Sequence, residues 1–205
     1  DAFQGGPDGD AIPGFRRVNG EVVVGTVAAI RKVKNLSRLV RVFAQAAKGR
    51  QARLVIVGAG EDLENVRAEA MRCGVSDQVN FPGYLSAPAK FMGLFDLFAL
   101  SSDSEQMPLS VVEAMAAGLA VIATDVGDIK DMVVAENQPY VVPASDEESF
   151  ANSLDLLIAD SEKRVSLGRQ NREKALREYT AAKMAKTNDI LIHSVLGGNK
   201  SSNFS

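Results

Sequence analysis

Residues 94–118 have the sequence LFDLFALSSDSEQMPLSVVEAMAAG. The apolar run 94–100, interrupted only by Asp96, predicts a buried strand that ends at small polar residues. Pro108 suits the first turn of the following helix, because its missing N–H costs nothing there, and Gly118 can end that helix. A buried strand followed by a loop and a helix is the repeating unit of an open α/β sheet, and this stretch therefore decides the fold class.

Two glutamates lie in this stretch with seven residues between them. Glu105 falls in the loop at the carboxyl end of the predicted strand, and Glu113 lies about one turn into the helix. In an open α/β sheet that edge forms a crevice, where helix N-termini face an anionic ligand. The backbone N–H groups of Leu109 and Ser110, at the start of the helix, are therefore available to hold such a ligand.

The rest of the chain alternates apolar strands with segments of helical periodicity. The predicted strands are 22–28, 54–57, 79–81, 97–100, 120–123 and 140–142, and the predicted helices are 36–47, 61–72, 88–95, 109–117, 129–134, 150–158, 162–179 and 181–195. Six strands in this alternation predict a mostly parallel sheet covered on both faces. The expected fold is a single Rossmann-like, doubly wound α/β domain at 21–196 with a helical C-terminal extension. A flexible lead-in at 1–20 and a disordered tail at 197–205 are expected to flank it.

Composition excludes several classes of protein. No apolar stretch approaches the ~18 residues of a membrane span, and the net charge of −3 argues against a general nucleic-acid partner. The single cysteine, Cys73, rules out an internal disulfide framework and suits a reducing cytoplasm. The only histidine, His193, has no companion ligands for a metal site. Because the chain begins at Asp1 and shows no signal peptide, we expect a piece of a longer cytoplasmic protein.

Three cations, Arg31, Lys32 and Lys34, follow the first predicted strand. On their own they are more typical of a solvated basic loop than of a binding site. In a parallel sheet, however, every strand points its carboxyl end toward the same crevice, so these cations are expected to meet the Glu105 loop there. In that setting they would oppose a diphosphate.

Two other patterns have alternative explanations. Gly58-Ala59-Gly60 resembles the start of a dinucleotide-binding fingerprint, although Leu63 occupies the third glycine position, and a tight turn explains the glycines equally well. The two glutamates also invite a glycosidase interpretation, as an acid and a base. No histidine lies near them, and hydrogen bonding to sugar hydroxyls needs no altered pKa. A hydrogen-bonding role is therefore favoured.

Together, in this order and spacing, these motifs resemble the C-terminal half of family 4 glycosyltransferases, which are retaining enzymes of the GT-B fold. The similarity runs from about Val22 to Leu191. The motifs that carry it are Arg31-x-x-Lys34-Asn35, Gly58-x-Gly60, Phe81-x-Gly83, Glu105-x7-Glu113 and the run EAMAAGLAVIATDVG at 113–127. The resemblance implies that this chain is one half of a GT-B fold.

The resemblance further implies a nucleotide-diphosphate sugar as the donor substrate. By position, Arg31 and Lys34 would bind the diphosphate and stabilise its charge as the glycosidic bond breaks, while Glu105 would engage the donor sugar. The other residues that the resemblance assigns to the donor site are Glu113 at the ribose hydroxyls, Leu109 and Ser110 at the phosphate, Tyr84 near the base, and Gly58, Met107 and Pro108. No metal or other cofactor is implied, because the protein's cations take that role.

Three positions depart from the family pattern. Residues 28–30 read Ala-Ala-Ile where many relatives carry Gly-Arg-Leu, so the phosphate-binding arginine must be Arg31 or be absent. Gln106-Met107-Pro108 stands where relatives often have Gly-Phe-Pro, which is expected to alter how the sugar is held. Asp128 replaces a common small residue.

Relatives bind the acceptor with an N-terminal Rossmann-like domain, and none precedes Asp1. We therefore expect a donor-binding half that binds nucleotide weakly and transfers no sugar by itself. Membrane association of the whole protein is expected only through the missing domain. Two alternatives stay open: a non-catalytic Rossmann-type nucleotide- or NAD-binding module, and half of a nucleotide-sugar epimerase. The lack of a histidine in the core counts against the epimerase.

Overall fold

The computed structural model describes residues 10–179 of the chain. Its strands are β1 Val22–Val27, β2 Ala52–Val57, β3 Val79–Gly83, β4 Leu97–Leu100, β5 Ala120–Thr124 and β6 Val141–Val142. They form one sheet in the order β3–β2–β1–β4–β5–β6, and every pair is parallel. The strand order reverses direction between β1 and β4. The prediction of a doubly wound α/β domain with six parallel strands is therefore confirmed.

Six α-helices accompany the strands in this part of the chain. They are α1 Leu36–Ala46, α2 Leu63–Arg72, α3 Leu109–Ala116, α4 Ile129–Met132, α5 Glu147–Ala159 and α6 Ser161–Glu178. No helix within residues 10–179 is both long enough and apolar enough to cross a membrane. The helix predicted at 181–195 and the tail predicted at 197–205 lie outside the described residues.

The helix predicted at 88–95 is wrong, because this segment forms two short 3-10 turns, Pro88–Lys90 and Met92–Leu94. Ala87 precedes them in the left-handed region, with φ 58°. A segment of two turns is marginal as an α-helix, and its glycine lowers the helix propensity further. Burial of the intervening Phe91, at 1% exposure, fixes the backbone instead.

Apolar side chains alternate between the two faces of the sheet, as the pleat of a strand requires. On β1, Val24 belongs to the same buried cluster as Phe43 of α1 and Leu154 of α5. The adjacent Val23 belongs to the opposite cluster, together with Met115 of α3. Because helices cover both faces, the strands are continuous apolar runs, which is why they could be recognised in the sequence.

The described part of the predicted lead-in packs against the domain. Ile12 and Phe15 are buried, at 1% and 6% exposure. Arg17 donates hydrogen bonds to both carboxylate oxygens of Asp96, at 2.6 and 2.7 Å, and Asp96 also accepts from the N–H of Val23 at 2.7 Å. Residues 12–17 are thus held to the domain, in part by the ion pair of Arg17 with Asp96, the one charged residue in the run 94–100. The sequence had predicted a flexible segment at these positions.

Two buried asparagines complete the pairing of β5. Strand β6 has only two residues, so the beginning of β5 is paired by side chains instead. Asn137 accepts from Val121 N–H at 3.0 Å and donates to Val121 O at 2.6 Å. Asn171 of α6 donates to Asn137 Oδ1 at 2.9 Å, which links α6 to the sheet.

Candidate functional site

The loops after β1 and β4 meet at the carboxyl edge of the sheet. These strands are neighbours, with Val24 opposite Leu97. At their ends, Lys34 Nζ donates to Glu105 Oε1 at 2.6 Å, and Ser102 Oγ donates to the same oxygen at 2.6 Å. The Lys34 and Glu105 side chains are 24% and 9% exposed, so the ion pair is largely shielded from water. The structure therefore brings together the two loops that the sequence assigned to one crevice.

Hydrogen bonds to backbone carbonyls join the same two loops. Ser101 Oγ lies 3.0 Å from the carbonyl oxygens of both Lys34 and Asn35, between which its single O–H is shared. The N–H of Asp103 donates to Val33 O at 2.8 Å. The positions of Lys34 and Glu105 are thus fixed by main-chain contacts as well as by their own ion pair.

The remaining cations of the first loop point to solvent. Arg31 and Lys32 are exposed, and within residues 10–179 the Arg31 side chain makes no hydrogen bond or ion pair. Lys34 uses one of its three N–H donors on Glu105, which leaves two for a ligand. An anion that binds at this loop would therefore find donors from Lys34 and an uncommitted guanidinium from Arg31.

The N-terminus of α3 lies directly after the Glu105 loop. Pro108 flanks the helix as its N-cap, with φ −71° and ψ 116°, rather than lying in the first turn as predicted, and it offers no side-chain cap. In the described part of the chain, the N–H groups of Leu109 and Ser110 have no hydrogen-bond acceptor. Met107 packs against the buried cluster beneath the loop. The helix thus presents two N–H groups beside the loop that holds Glu105.

Glu113 lies one turn further along α3. Its side chain is half-buried and has no hydrogen-bonding partner among residues 10–179. Burial raises the pKa of this carboxyl above its ordinary value of 4.5, because the charged form loses hydration without gaining a counter-ion. A half-buried carboxyl without a partner is suited to accept hydrogen bonds from a ligand.

The glycines after β2 have a packing explanation. A Cβ on Gly58 would lie 1.9 Å from Ala28 O, and a Cβ on Gly60 would lie 2.2 Å from Ile30 O. The β2–α2 loop therefore packs backbone to backbone on the β1–α1 loop. Gly58 N–H also donates to Gly83 O at 2.9 Å, next to Tyr84, which is 76% exposed. Contact of Gly58 or Tyr84 with a ligand stays a prediction.

The end of β5 and the residues after it support the Glu105 loop, and this supporting role was not predicted from the sequence. Thr124 Oγ1 donates to Ser102 O at 2.6 Å, and the N–H of Asp128 donates to Gln106 O at 3.0 Å. Gly127 has φ 57°, and a Cβ there would lie 2.4 Å from Gln106 O and 2.5 Å from Glu105 O. A signal was present, since small and polar residues at the carboxyl end of the next strand predict a contact at this edge.

A metal site is not formed by the described residues. Within 10–179 there is no group of three or more histidine, cysteine, aspartate or glutamate residues that could hold a metal ion. The expectation that the protein needs no metal stays a prediction.

The fold places the chain among Rossmann-like α/β domains whose ligands bind at the carboxyl edge of a parallel sheet. Within that class, the chain belongs to the family described as glycosyl transferases group 1, whose model matches residues 11–174. The match includes all six strands and both candidate loops. The resemblance to GT-B glycosyltransferases that the motifs indicated is therefore confirmed.

Curated relatives are similar to most of this chain. N-acetyl-alpha-D-glucosaminyl L-malate synthase of Bacillus anthracis is 26% identical over 180 residues, which are 88% of this chain and 47% of the relative. A GDP-mannose-dependent alpha-(1-6)-phosphatidylinositol monomannoside mannosyltransferase of Mycobacterium tuberculosis is 34% identical over 132 residues, which are 60% of this chain and 34% of the relative. The chain thus spans about a third to a half of the length of these relatives.

Solved structures share the fold. Sucrose-phosphate synthase from Thermosynechococcus elongatus superposes with a TM-score of 0.80 at 25% identity, over 95% of this chain and 50% of that one. Anabaena HepE, solved with UDP and glucose, gives a TM-score of 0.76 at 21% identity, over 85% of this chain and 49% of that one. The C-terminal domain of LpcC from Francisella tularensis gives 0.71 at 24% identity, over 78% of this chain and 87% of that one.

Proposed function

We propose that this chain is the donor-binding half of a retaining glycosyltransferase of family 4. The whole protein would transfer a hexosyl group from a nucleotide-diphosphate sugar to an acceptor held by a further domain on the far side of the crevice. The observation that carries the proposal is the Lys34–Glu105 pair at the carboxyl edge of the sheet, beside the N-terminus of α3. This arrangement offers cationic donors and a carboxylate acceptor within one small site.

The pair suits a ligand that is anionic at one end and rich in hydroxyls at the other. Lys34 Nζ keeps two N–H donors for diphosphate oxygens, and Arg31 can add its guanidinium. Glu105 Oε1 already accepts two hydrogen bonds, so Oε2 is the oxygen for a sugar hydroxyl. As the glycosidic bond breaks, negative charge grows on the leaving diphosphate, and fixed cations stabilise that charge.

The rest of the nucleotide would lie along α3 and the ends of β2 and β3. The N–H groups of Leu109 and Ser110 would bind the phosphate, and the half-buried carboxylate of Glu113 would accept from the ribose hydroxyls. Gly58 and the exposed Tyr84 would lie near the base, while Met107 and Pro108 would shape the sugar side of the site. Anabaena HepE has been solved in complex with UDP and with UDP-glucose, which supports a nucleotide sugar here.

Three further features belong to the same proposal. The protein's own cations would replace a metal in balancing the diphosphate, so no cofactor would be needed. The enzyme would work in the cytoplasm, where nucleotide sugars would be its donors and nucleic acid would not be a partner. Association with a membrane, if the whole protein makes one, would come from the acceptor-binding domain.

Calorimetric titration of the chain with UDP, GDP, the matching nucleotide sugars and NAD tests the proposal. We expect a nucleoside diphosphate to bind, and binding of NAD alone would instead support a dinucleotide-binding module. Glu113→Ala should weaken binding of the ribonucleotide and leave the affinity for its 2′-deoxy analogue nearly unchanged. The matched control is Glu136→Ala, because Glu136 is exposed at the amino end of β6, on the opposite edge of the sheet.

A further inference from the structure

Arg38 spans the gap between helix α1 and the loop after β4. Its side chain is only 11% exposed. Nη1 donates to Ser101 O at 3.0 Å, and Nη2 lies 2.8 Å from Asp103 Oδ1. The Nε end of the same guanidinium faces Glu147 of α5, at 3.6 Å from Oε1. Arg38 therefore connects the loop before Glu105 to two helices of the scaffold.

Asn35 makes a second connection to the same aspartate. Its Nδ2 donates to both carboxylate oxygens of Asp103, at 3.1 and 3.2 Å, while its Oδ1 accepts from the backbone N–H of Arg38 and caps α1. Asn35 adopts a left-handed conformation, with φ 43°, which asparagine tolerates better than most non-glycine residues. The side-chain contacts of Asn35 hold this conformation in place.

We propose that Asn35, Arg38 and Asp103 are positioning residues, which hold Lys34 and Glu105 in register for the diphosphate and the sugar. Asn35 directly follows Lys34, and Asp103 lies two residues before Glu105 in the chain. The proposal rests on the proposed function, because it assigns these residues to the donor site that Lys34 and Glu105 form.

The exposure of Asp103 favours a positioning role for its ion pair with Arg38 over a role in the overall stability of the domain. Its side chain is 48% exposed, and ion pairs at this exposure contribute little to the free energy of unfolding. The value of the contact lies in geometry, since it adds to the main-chain contacts between the two loops and so refines the placement of Lys34 and Glu105 for a shared ligand. A site held in advance binds more tightly because less ordering is left for the ligand to impose.

The test compares Asp103→Ala and Asp103→Asn with the control Asp155→Ala in the full chain. Asp155 forms a comparable exposed ion pair, at 2.5 Å from Arg50 Nε, in a part of the molecule outside the candidate site. The first readout is the 15N NMR signal of the Lys34 ammonium, whose protons exchange slowly with water while Glu105 holds them. The second is NMR titration with UDP and GDP, and with uridine and guanosine.

In Asp103→Ala we expect faster ammonium exchange at Lys34 and about tenfold weaker binding of the diphosphate, or 1.4 kcal/mol, with the nucleoside changed less than about twofold. Asp103→Asn should lie between the wild type and Asp103→Ala in both readouts, because its amide keeps one oxygen for Arg38 and Asn35. Asp155→Ala should match the wild type in both readouts.

Two results would overturn the proposal. One is an unchanged Lys34 signal together with unchanged diphosphate affinity in Asp103→Ala. The other is an equal loss of diphosphate and nucleoside binding in both Asp103 variants, which would indicate general destabilisation. If the wild-type chain binds no nucleoside diphosphate, the proposed function fails, and the Lys34 ammonium signal alone then decides whether these residues position the pair.

Discussion

Lys34 Nζ lies 2.6 Å from Glu105 Oε1, although 71 positions separate the two residues in the chain. The pair joins the loop after β1 to the loop after β4, and each residue balances a charge that would otherwise be unpaired in a poorly hydrated site. A diphosphate that binds there must share Lys34 with Glu105. The opposite charges of the two residues therefore predict opposite effects on a bare diphosphate.

Lys34→Met should weaken binding of a nucleoside diphosphate while keeping the aliphatic part of the side chain. Because a hydrogen bond to a charged group contributes ~1.5–3 kcal/mol, we expect the Kd to rise about 10- to 100-fold by calorimetry. Lys32→Met is the control, since Lys32 is exposed in the same turn and makes no ion pair with another residue of the range 10–179. Equal losses in both variants would mean that the loop attracts anions only through its net charge.

Glu105→Gln should separate the diphosphate from the sugar. The substitution removes a negative charge beside the diphosphate. The variant should therefore bind a bare nucleoside diphosphate at least as tightly as the wild type does. A nucleotide sugar should bind more weakly, because an amide is a poorer acceptor for sugar hydroxyls than a carboxylate. The measurement is calorimetry with both ligands, and weaker binding of the bare diphosphate would contradict the arrangement.

Much of the fold could be predicted because a parallel sheet buried on both faces requires continuous apolar strands. The common edge of Lys34 and Glu105 could also be predicted, since all parallel strands present their carboxyl ends to one side. The contacts that hold the two loops together could not be predicted from the sequence. They depend on the left-handed backbone of Asn35 and on the side-chain contacts of Arg38 and Asp103, which join positions far apart in the chain. The two 3-10 turns at 88–94 were likewise decided by tertiary burial of Phe91 rather than by periodicity.

Gly127→Ala should displace the Glu105 loop. Any side chain at this position meets the carbonyls of Glu105 and Gln106, at 2.5 and 2.4 Å. Gly74→Ala is a matched control, because Gly74 has a similar φ of 71° but nothing within 4 Å of its would-be Cβ. Both variants should lose the ~1–2 kcal/mol that a left-handed conformation costs, as measured by denaturant unfolding. Only Gly127→Ala should also weaken nucleotide-sugar binding, and equal binding by the two variants would argue against a supporting role for Gly127.

Asn137→Leu should destabilise the domain strongly without acting on the site. The substitution leaves the buried N–H and C=O of Val121 without their partner, and it removes one of the two acceptors of Asn171 Nδ2, which keeps Leu119 O. Because an unsatisfied buried group costs ~1–3 kcal/mol, the free energy of unfolding should fall by about 2–5 kcal/mol in urea. Gln138→Ala is the control, since Gln138 makes a single exposed hydrogen bond to Lys130 O. A loss of unfolding free energy no larger than that of Gln138→Ala would show that the hydrogen bonds of Asn137 add little to the stability of the domain.

Glu113→Gln should stabilise the free protein at neutral pH while weakening nucleotide binding. Burial raises the pKa of Glu113 above 4.5, so between 4.5 and the raised value the folded state binds more protons than the unfolded state. The free energy of unfolding therefore falls as the pH rises through this window. Above the window, the folded state carries the full cost of burying the charged Glu113 carboxylate. Glutamine carries no charge and avoids this cost.

The gain in stability from Glu113→Gln should consequently be largest above the raised pKa and should vanish below pH 4.5. Denaturant unfolding of the two proteins between pH 4 and pH 8 measures it, with Glu136→Gln as an exposed control that should show no such trend. A constant difference across this range would mean that the carboxyl is already well solvated. A pH-dependent gain accompanied by weaker ribonucleotide binding would mean that α3 keeps an unfavourable buried charge at the position where the ribose is proposed to bind.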